Sequence, residues 1–202
     1  MRKIQGGTGY IHRWERISGN VREKVAEMEL RIEKAGAADI DEVGRLYDGL
    51  NEYLEEHVNY PGWRKGIYPV RETAEDGISE GCLYVARYGK EIAGSIILSH
   101  EPESAYEEAD WQVDLEYRDI FVIHTFAVHP LWLGKGVGKR LMEFALEQGL
   151  EEKIKAVRLD VYEKNEPAIA LYRRYGFRYI DTVDLGYSVY GLDRFALYQK
   201  LL

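Results

Sequence analysis

The strongest constraint on how this chain can fold is the run from Ile120 to Val128, which is apolar on both alternating faces. A strand of that kind persists only inside a sheet covered on both sides, so the rest of the chain must supply the covering layers. What surrounds it fits. Leu30 and Ile32 alternate with charged neighbours, the period of a strand. Asp39 precedes Ile40, Val43, Leu46, Tyr47 and Leu50, apolar at helix spacing, and forms a capping-box pattern with Glu42. Pro61, Gly62, Trp63 and Gly66 predict a loop over Tyr60 to Tyr68, and a second helix is expected over Arg71 to Ser79, ending before Gly81. Cys82 to Arg87 and Glu91 to Ser99 read as strands joined at Tyr88, Gly89 and Lys90, and the acidic stretch 101–118 predicts a long loop or hairpin tip.

Beyond the central strand, Val137, Leu141, Phe144 and Ala145 predict a helix stopped by Gly149. Val157, Leu159 and Val161 mark another strand. Pro167 opens a short helix carrying Ala168, Leu171, Tyr172 and Tyr175 on one face, and Gly176 ends it. Arg178 to Leu185 and Arg194 to Leu201 predict a final hairpin around Gly191. The pattern is α/β, with sequential antiparallel strands first and one strand–helix–strand crossover late.

Residues 1–27, broken by Gly6, Gly7, Gly9 and Gly19 and rich in Arg and Lys, are expected to be an N-terminal extension, mobile or partly helical near Val21 to Met28. Residues 28–202 are expected to form one domain. Acidic residues number 35 against 27 basic ones, a net charge of −8, which excludes a general nucleic-acid binder. The single cysteine, Cys82, allows no intrachain disulfide and no cysteine zinc site, so no metal is expected and a reducing, cytoplasmic setting is. No apolar run approaches the length of a membrane span, and Met1 to Arg16 has no signal-type stretch, so no membrane partner is expected.

The most informative segment is His129-Pro130-Leu131-Trp132-Leu133-Gly134-Lys135-Gly136-Val137-Gly138-Lys139-Arg140. A strand ends at a proline, and a glycine-rich turn opens an amphipathic helix. Glycines bring backbone N–H groups close to a ligand, and a helix N-terminus favours an anion, so phosphate oxygens are the natural guest. Lys135, Lys139 and Arg140 add cations. A P-loop would need Ser or Thr after Gly138-Lys139, where Arg140 stands, and the dinucleotide fingerprint fails on the Gly134, Gly136, Gly138 spacing. By itself the segment equally suits a glycine turn without a ligand.

A second segment, Asn165-x-x-Ala168-x-x-Leu171-Tyr172-x-x-x-Gly176-Phe177, follows the next strand. Together the two resemble the GCN5-related N-acetyltransferase (GNAT) superfamily, with one departure: Leu133 stands at the loop position that carries Arg or Gln there. The resemblance implies a mixed sheet of about seven strands, splayed between the fourth and fifth, with about four flanking helices. It implies acetyl-CoA as co-substrate and N-acetyltransferase activity, with the acceptor a small-molecule amine or a peptide N-terminus. Phe126, Ala127 and Val128 would meet the pantetheine and acetyl carbonyl, and a backbone N–H near Val128 would stabilise the oxyanion of the tetrahedral intermediate. Gly134, Lys135, Gly136, Val137, Gly138 and Lys139 would cradle the pyrophosphate. Asn165 would hold the pantetheine arm or position the following helix.

In the same frame Tyr172 matches the residue that protonates the departing thiolate, although on helix spacing alone it would be a core tyrosine. Asp160, opposite to Val157, Leu159 and Val161, matches a base in some relatives; a salt bridge to an arginine is the other reading. His124 is expected to share a face with Val122, Phe126 and Val128, as a hydrogen-bonded core histidine or as an imidazole that accepts a proton near pH 7, and His129 to sit at the surface. The acceptor side would draw on His57 and on Tyr53, Tyr60, Trp63, Tyr68, Tyr187 and Tyr190, which suit a cationic amine or simply pack under a loop. The acids Glu101, Glu103, Glu107, Glu108 and Asp110 read as a solvated loop. A non-catalytic acyl-CoA-binding sensor is the competing function, and homodimers are common in such relatives.

Overall fold

The computed structural model describes residues 29–202; the expected N-terminal extension, with its partial helix, lies outside the described residues. In chain order the regular elements are β1 (Leu30–Lys34), α1 (Ile40–Glu56), α2 (Arg71–Ser79), β2 (Leu83–Tyr88), β3 (Glu91–Ser99), β4 (Ile120–Val128), α3 (Val137–Glu151), β5 (Ala156–Tyr162), α4 (Glu166–Arg174), β6 (Arg178–Val183) and β7 (Phe195–Leu201). The strands form one sheet in the order β1-β2-β3-β4-β5-β7-β6. Among the described residues only β4 and β5 pair in parallel, as a crossover through α3 requires.

The apolar periodicities decide which helix covers which face. Val137, Leu141, Met142 and Ala145 of α3, with Tyr172 of α4, bury themselves against Phe121, Ile123, Val157, Leu159 and Val161. On the other face, Val43, Leu46, Tyr47, Leu50 and Leu54 of α1 pack on Leu83, Val85 and Ile97. Each fully buried side chain of this size contributes about 1.5–3 kcal/mol.

The segment between β3 and β4 is not the free loop expected. Tyr106 and Trp111 are buried against Ile120, Val122, Ala156 and Leu197, closing the second face over β4, β5 and β7. The buried Arg158 guanidinium stacks 4.1 Å from the Trp111 ring, and Gln199 donates to the Trp111 carbonyl. Most acids of the stretch do face solvent, as Glu101, Glu107, Glu108 and Asp110 do; Glu103 turns inward.

Two further expectations are corrected. Asp39 and Glu42 do not form a capping box: Asp39 accepts from the Gly36 amide and from Arg87, and Glu42 accepts from the Ile92 amide, so both acids tie α1 to the sheet. Gly149 does not stop α3, which runs on to Glu151. A Cβ there would sit 2.6 Å from Leu202 Cδ1, so the glycine admits the C-terminal side chain against the helix. Among the described residues no helix is long and apolar enough to cross a membrane.

Candidate active site

The site begins where the sheet comes apart. β4 and β5 are in register from Ile120–Ala156 to Ile123–Leu159, and their pairing then stops, although β5 stays paired with β7 as far as Tyr162. The cause is a bulge in β4. Across from β3, Ala127 faces Ser95 and His124 faces Ile97, so Thr125 and Phe126 together oppose Ile96. Thr125 has φ +32°, a strained value for a β-branched residue, and its hydroxyl is paired with the hydroxyl of Tyr68.

The extra residue reverses the faces beyond it. His124 stays with Val122 on the face covered by the 101–119 segment, whereas Phe126 and Val128 turn to the α3–α4 face. The expected common face for His124, Phe126 and Val128 is therefore wrong, and His124 is no core histidine: it lines a cavity. The His129 amide donates to the Ala93 carbonyl, toward β3. Amides alternate along a strand, so that of Val128 points to the opposite side, into the opening beside β5.

The glycine turn closes one end of this opening. Gly134 and Gly136 have φ +72° and +84°, and no atom of the described residues lies within 4 Å of where a Cβ would stand on either. The first backbone donor of α3 engaged within the chain is Arg140, bonded to the Gly136 carbonyl. Among the described residues the amides of Gly136, Val137, Gly138 and Lys139 have no protein partner, and they converge at the positive end of a helix. Lys139 lines the cavity. Lys135 does not: its ammonium lies 4.6 Å from the Trp132 ring centroid. Ala127 is also turned away, its methyl buried under α1. Leu133 reaches the cavity half-exposed. Asn165 caps α4, accepting from the Ala168 amide, and also lines the cavity.

The cavity, of about 1030 Å³, runs from this turn through the parted strands to an aromatic end on the other face. There Tyr53, Tyr60, Trp63, Tyr68, Tyr187 and Tyr190 all line it, as does His57, stacked on Tyr53 at 3.9 Å. Arg64 spans the roof, donating to the Tyr190 carbonyl, and Gly62 sits where any side chain would strike Leu192.

Asp160 and Tyr172 meet the cavity midway. Asp160 projects opposite to Val157, Leu159 and Val161, as expected, and has no arginine partner among the described residues. It accepts a 2.8 Å hydrogen bond from the Tyr106 hydroxyl. Burial pushes its carboxyl above the ordinary range, and the nearby Glu103 charge adds to this; Tyr106 and His124 oppose it. Tyr172 is buried, with Phe126 edge-on at 6.4 Å. Its hydroxyl makes no hydrogen bond among the described residues, and burial, reinforced by the Asp160 charge, keeps the phenol protonated well above pH 10. Burial likewise pushes the Tyr68 phenol up to about 12.

Sequence reasoning missed Thr125, Tyr106 and the pairing of Tyr68 with Thr125, and it read Glu103 and His124 as a solvated acid and a core residue. These groups come together only through the bulge and the folded-back segment. Among the described residues no cluster of acids, histidines and cysteine could hold a metal ion.

With this geometry the comparisons agree. Residues 46–177 match the model of the Acetyltransferase (GNAT) family. An uncharacterized protein, ML0378, of Mycobacterium leprae is 34% identical over 79% of this chain and 38% of its own length. The N-alpha-acetyltransferase RimI of Mycobacterium tuberculosis is 32% identical over 38% of this chain and 47% of its own. The chain thus spans less than half of either relative. The solved structure of yncA from Salmonella typhimurium, with its cofactor acetyl-CoA, matches in fold at a TM-score of 0.62 and 15% identity, over 86% of this chain and 94% of that one.

Proposed function

The chain belongs to the acetyltransferase (GNAT) family, and from that premise we propose that it moves an acetyl group from acetyl-CoA to a primary amine, directly and within a ternary complex. The observation that carries this reading is the opening beside Val128, with a turn of unpartnered amides at its end. The donor group of the chain is well matched to acetyl-CoA. A diphosphate needs several converging N–H groups and a cation, supplied by Gly136 to Lys139. A pantetheine arm needs unpaired strand backbone, supplied by β4 beyond Ile123.

Acetyl-CoA supplies the activated acyl carbonyl. The Val128 amide offers an N–H to the negative charge that grows on the carbonyl oxygen. Tyr172, protonated and without a hydrogen-bond partner among the described residues, offers its proton to the leaving sulfur. Asp160 faces the acceptor end and supplies the charge that draws in an ammonium. The aromatic walls favour an amine with an apolar body.

Direct transfer is supported by the only cysteine. Cys82 is buried between α2 and the sheet, outside the cavity, and burial, with Glu80 adding, pushes its thiol up to about 11. Neither trait suits an acyl-carrying nucleophile. A cytoplasmic location fits the free thiol.

The test follows free thiol released from acetyl-CoA across a panel of amines. Amine-dependent release with intersecting initial-velocity lines is expected. No release with any amine, and no binding of CoA, would overturn the reading. Tight binding without turnover would favour an acyl-CoA sensor, the role that Leu133 at the loop leaves open.

A further inference from the structure

Resting on that reading, we propose that His124 is the group that takes the proton from the acceptor ammonium, with Glu103 as its positioning partner. The geometry fixes the tautomer. The Nε2 atom of His124 lies 3.0 Å from the Glu101 carbonyl oxygen. A carbonyl only accepts, so Nε2 must carry the hydrogen and Nδ1 must present its lone pair. That nitrogen lies 3.8 Å from Glu103 Oε1, too far for a direct hydrogen bond but close enough to stabilise an imidazolium. The ring lines the cavity with its side chain 21% exposed, so the amine or one water can reach it.

Asp160 stands beside His124 because Ile123 and Leu159 are in register, and both project onto the same face. Its Oδ1 already accepts from Tyr106. Tyr68 and Tyr187 face the same acidic pair from the two loops of the roof, and Tyr172 from α4. Every one of these neighbours is a carboxyl or a phenol. Asp160 and Glu103 present negative charge to the His124 ring, and the phenols carry none. Asp160 holds the ammonium while the adjacent imidazole deprotonates it.

The step balances. His124 takes one proton from the ammonium and passes it to solvent. The neutral nitrogen forms the C–N bond as the C–S bond breaks. Tyr172 gives its proton to sulfur and regains one from the new amide nitrogen. One proton is released per turnover.

A primary alkylamine with a pKa near 10.4 is almost wholly protonated at pH 7, so a base matters there and not near pH 10. The experiment is the pH profile of kcat/KM for the wild-type protein, His124→Gln and Glu103→Gln, with the alkylamine that gives fastest thiol release. Acetyl-CoA binding serves as the control for folding, and His124→Asn is read alongside. His124→Gln should fall about 10²–10⁴-fold at pH 7, and the gap should shrink below about tenfold at pH 10. Glu103→Gln should show the same pattern more weakly, a fall at pH 7 that shrinks by pH 10, because the imidazolium formed in the step loses the carboxylate 3.8 Å away. A gap that is constant with pH, or absent, in an active wild-type protein overturns the assignment of His124 alone. No thiol release by the wild-type protein with any amine overturns the transferase reading and this inference with it.

Discussion

Replacing Tyr172 by Phe removes one oxygen atom and nothing else. The ring keeps its contacts with Phe126 and with Phe177, whose ring centroids lie 6.4 and 5.9 Å away. No hydrogen bond among the described residues uses the lost hydroxyl, so no partner is left unsatisfied and folding should barely change. A shift under about 0.5 kcal/mol corresponds to about 1–2 °C in Tm for a domain of this size. Turnover should change far more. A phenol kept protonated by burial is a proton donor to a leaving thiolate, and loss of such a donor costs about 10²–10⁴-fold, or about 3–5 kcal/mol in the barrier. The assay pairs a thermal melt with steady-state thiol release at saturating acetyl-CoA. The expected outcome is an unchanged melt, an unchanged KM for acetyl-CoA and the stated fall in kcat. A fall of less than about threefold in kcat would refute the reasoning, since the hydroxyl would then be a bystander in a packed helix.

Gly136→Ala places a Cβ at φ +84° with nothing to strike, so it costs about 1–2 kcal/mol of backbone strain and should weaken acetyl-CoA binding by about tenfold or more in calorimetry. Trp111→Ala should cost about 3–5 kcal/mol by denaturant melt, because it empties a buried site and strands the stacked Arg158 guanidinium. Burial holds the phenols of Tyr47, Tyr106 and Tyr172 above their ordinary 10.0. Above pH 10 the unfolded chain therefore loses protons that the folded one keeps, and stability falls as pH rises. The unfolded phenols are half ionised at pH 10, so each group costs about 1 kcal/mol and the three together about 3 kcal/mol between pH 10 and 11; denaturant midpoints that stay flat there would contradict it.

Most of the fold was legible because its elements have clean periods. The apolar positions of α1 and α3 recur at helix spacing, and β4 is apolar enough to demand a central place. The glycine turn was legible for a local reason, since Gly134 and Gly136 need positive φ. The aromatic residues lining the far end of the cavity were named from the sequence, but Tyr106, Glu103 and His124 were not grouped with Asp160, because those contacts are made over long range. One additional residue at Thr125 leaves no compositional mark, yet it turns Phe126 to one face and leaves His124 on the other. Likewise nothing in an acidic stretch announces that Tyr106 will cross to Asp160 while its neighbours stay in water. Gly149 misled for a simpler reason: a glycine near a helix end commonly caps it, but here it clears space for Leu202.

The central claim is that the amides from Gly136 to Lys139 seat a diphosphate and that the parted strands lay a thioester beside Val128. A crystal structure of the protein grown with acetyl-CoA tests it most directly. The account predicts diphosphate density within hydrogen-bond distance of those amides and the acetyl carbonyl oxygen near the Val128 N–H, with Tyr172 close to the sulfur. Density for the cofactor elsewhere, or a diphosphate held by side chains away from the turn, would contradict it.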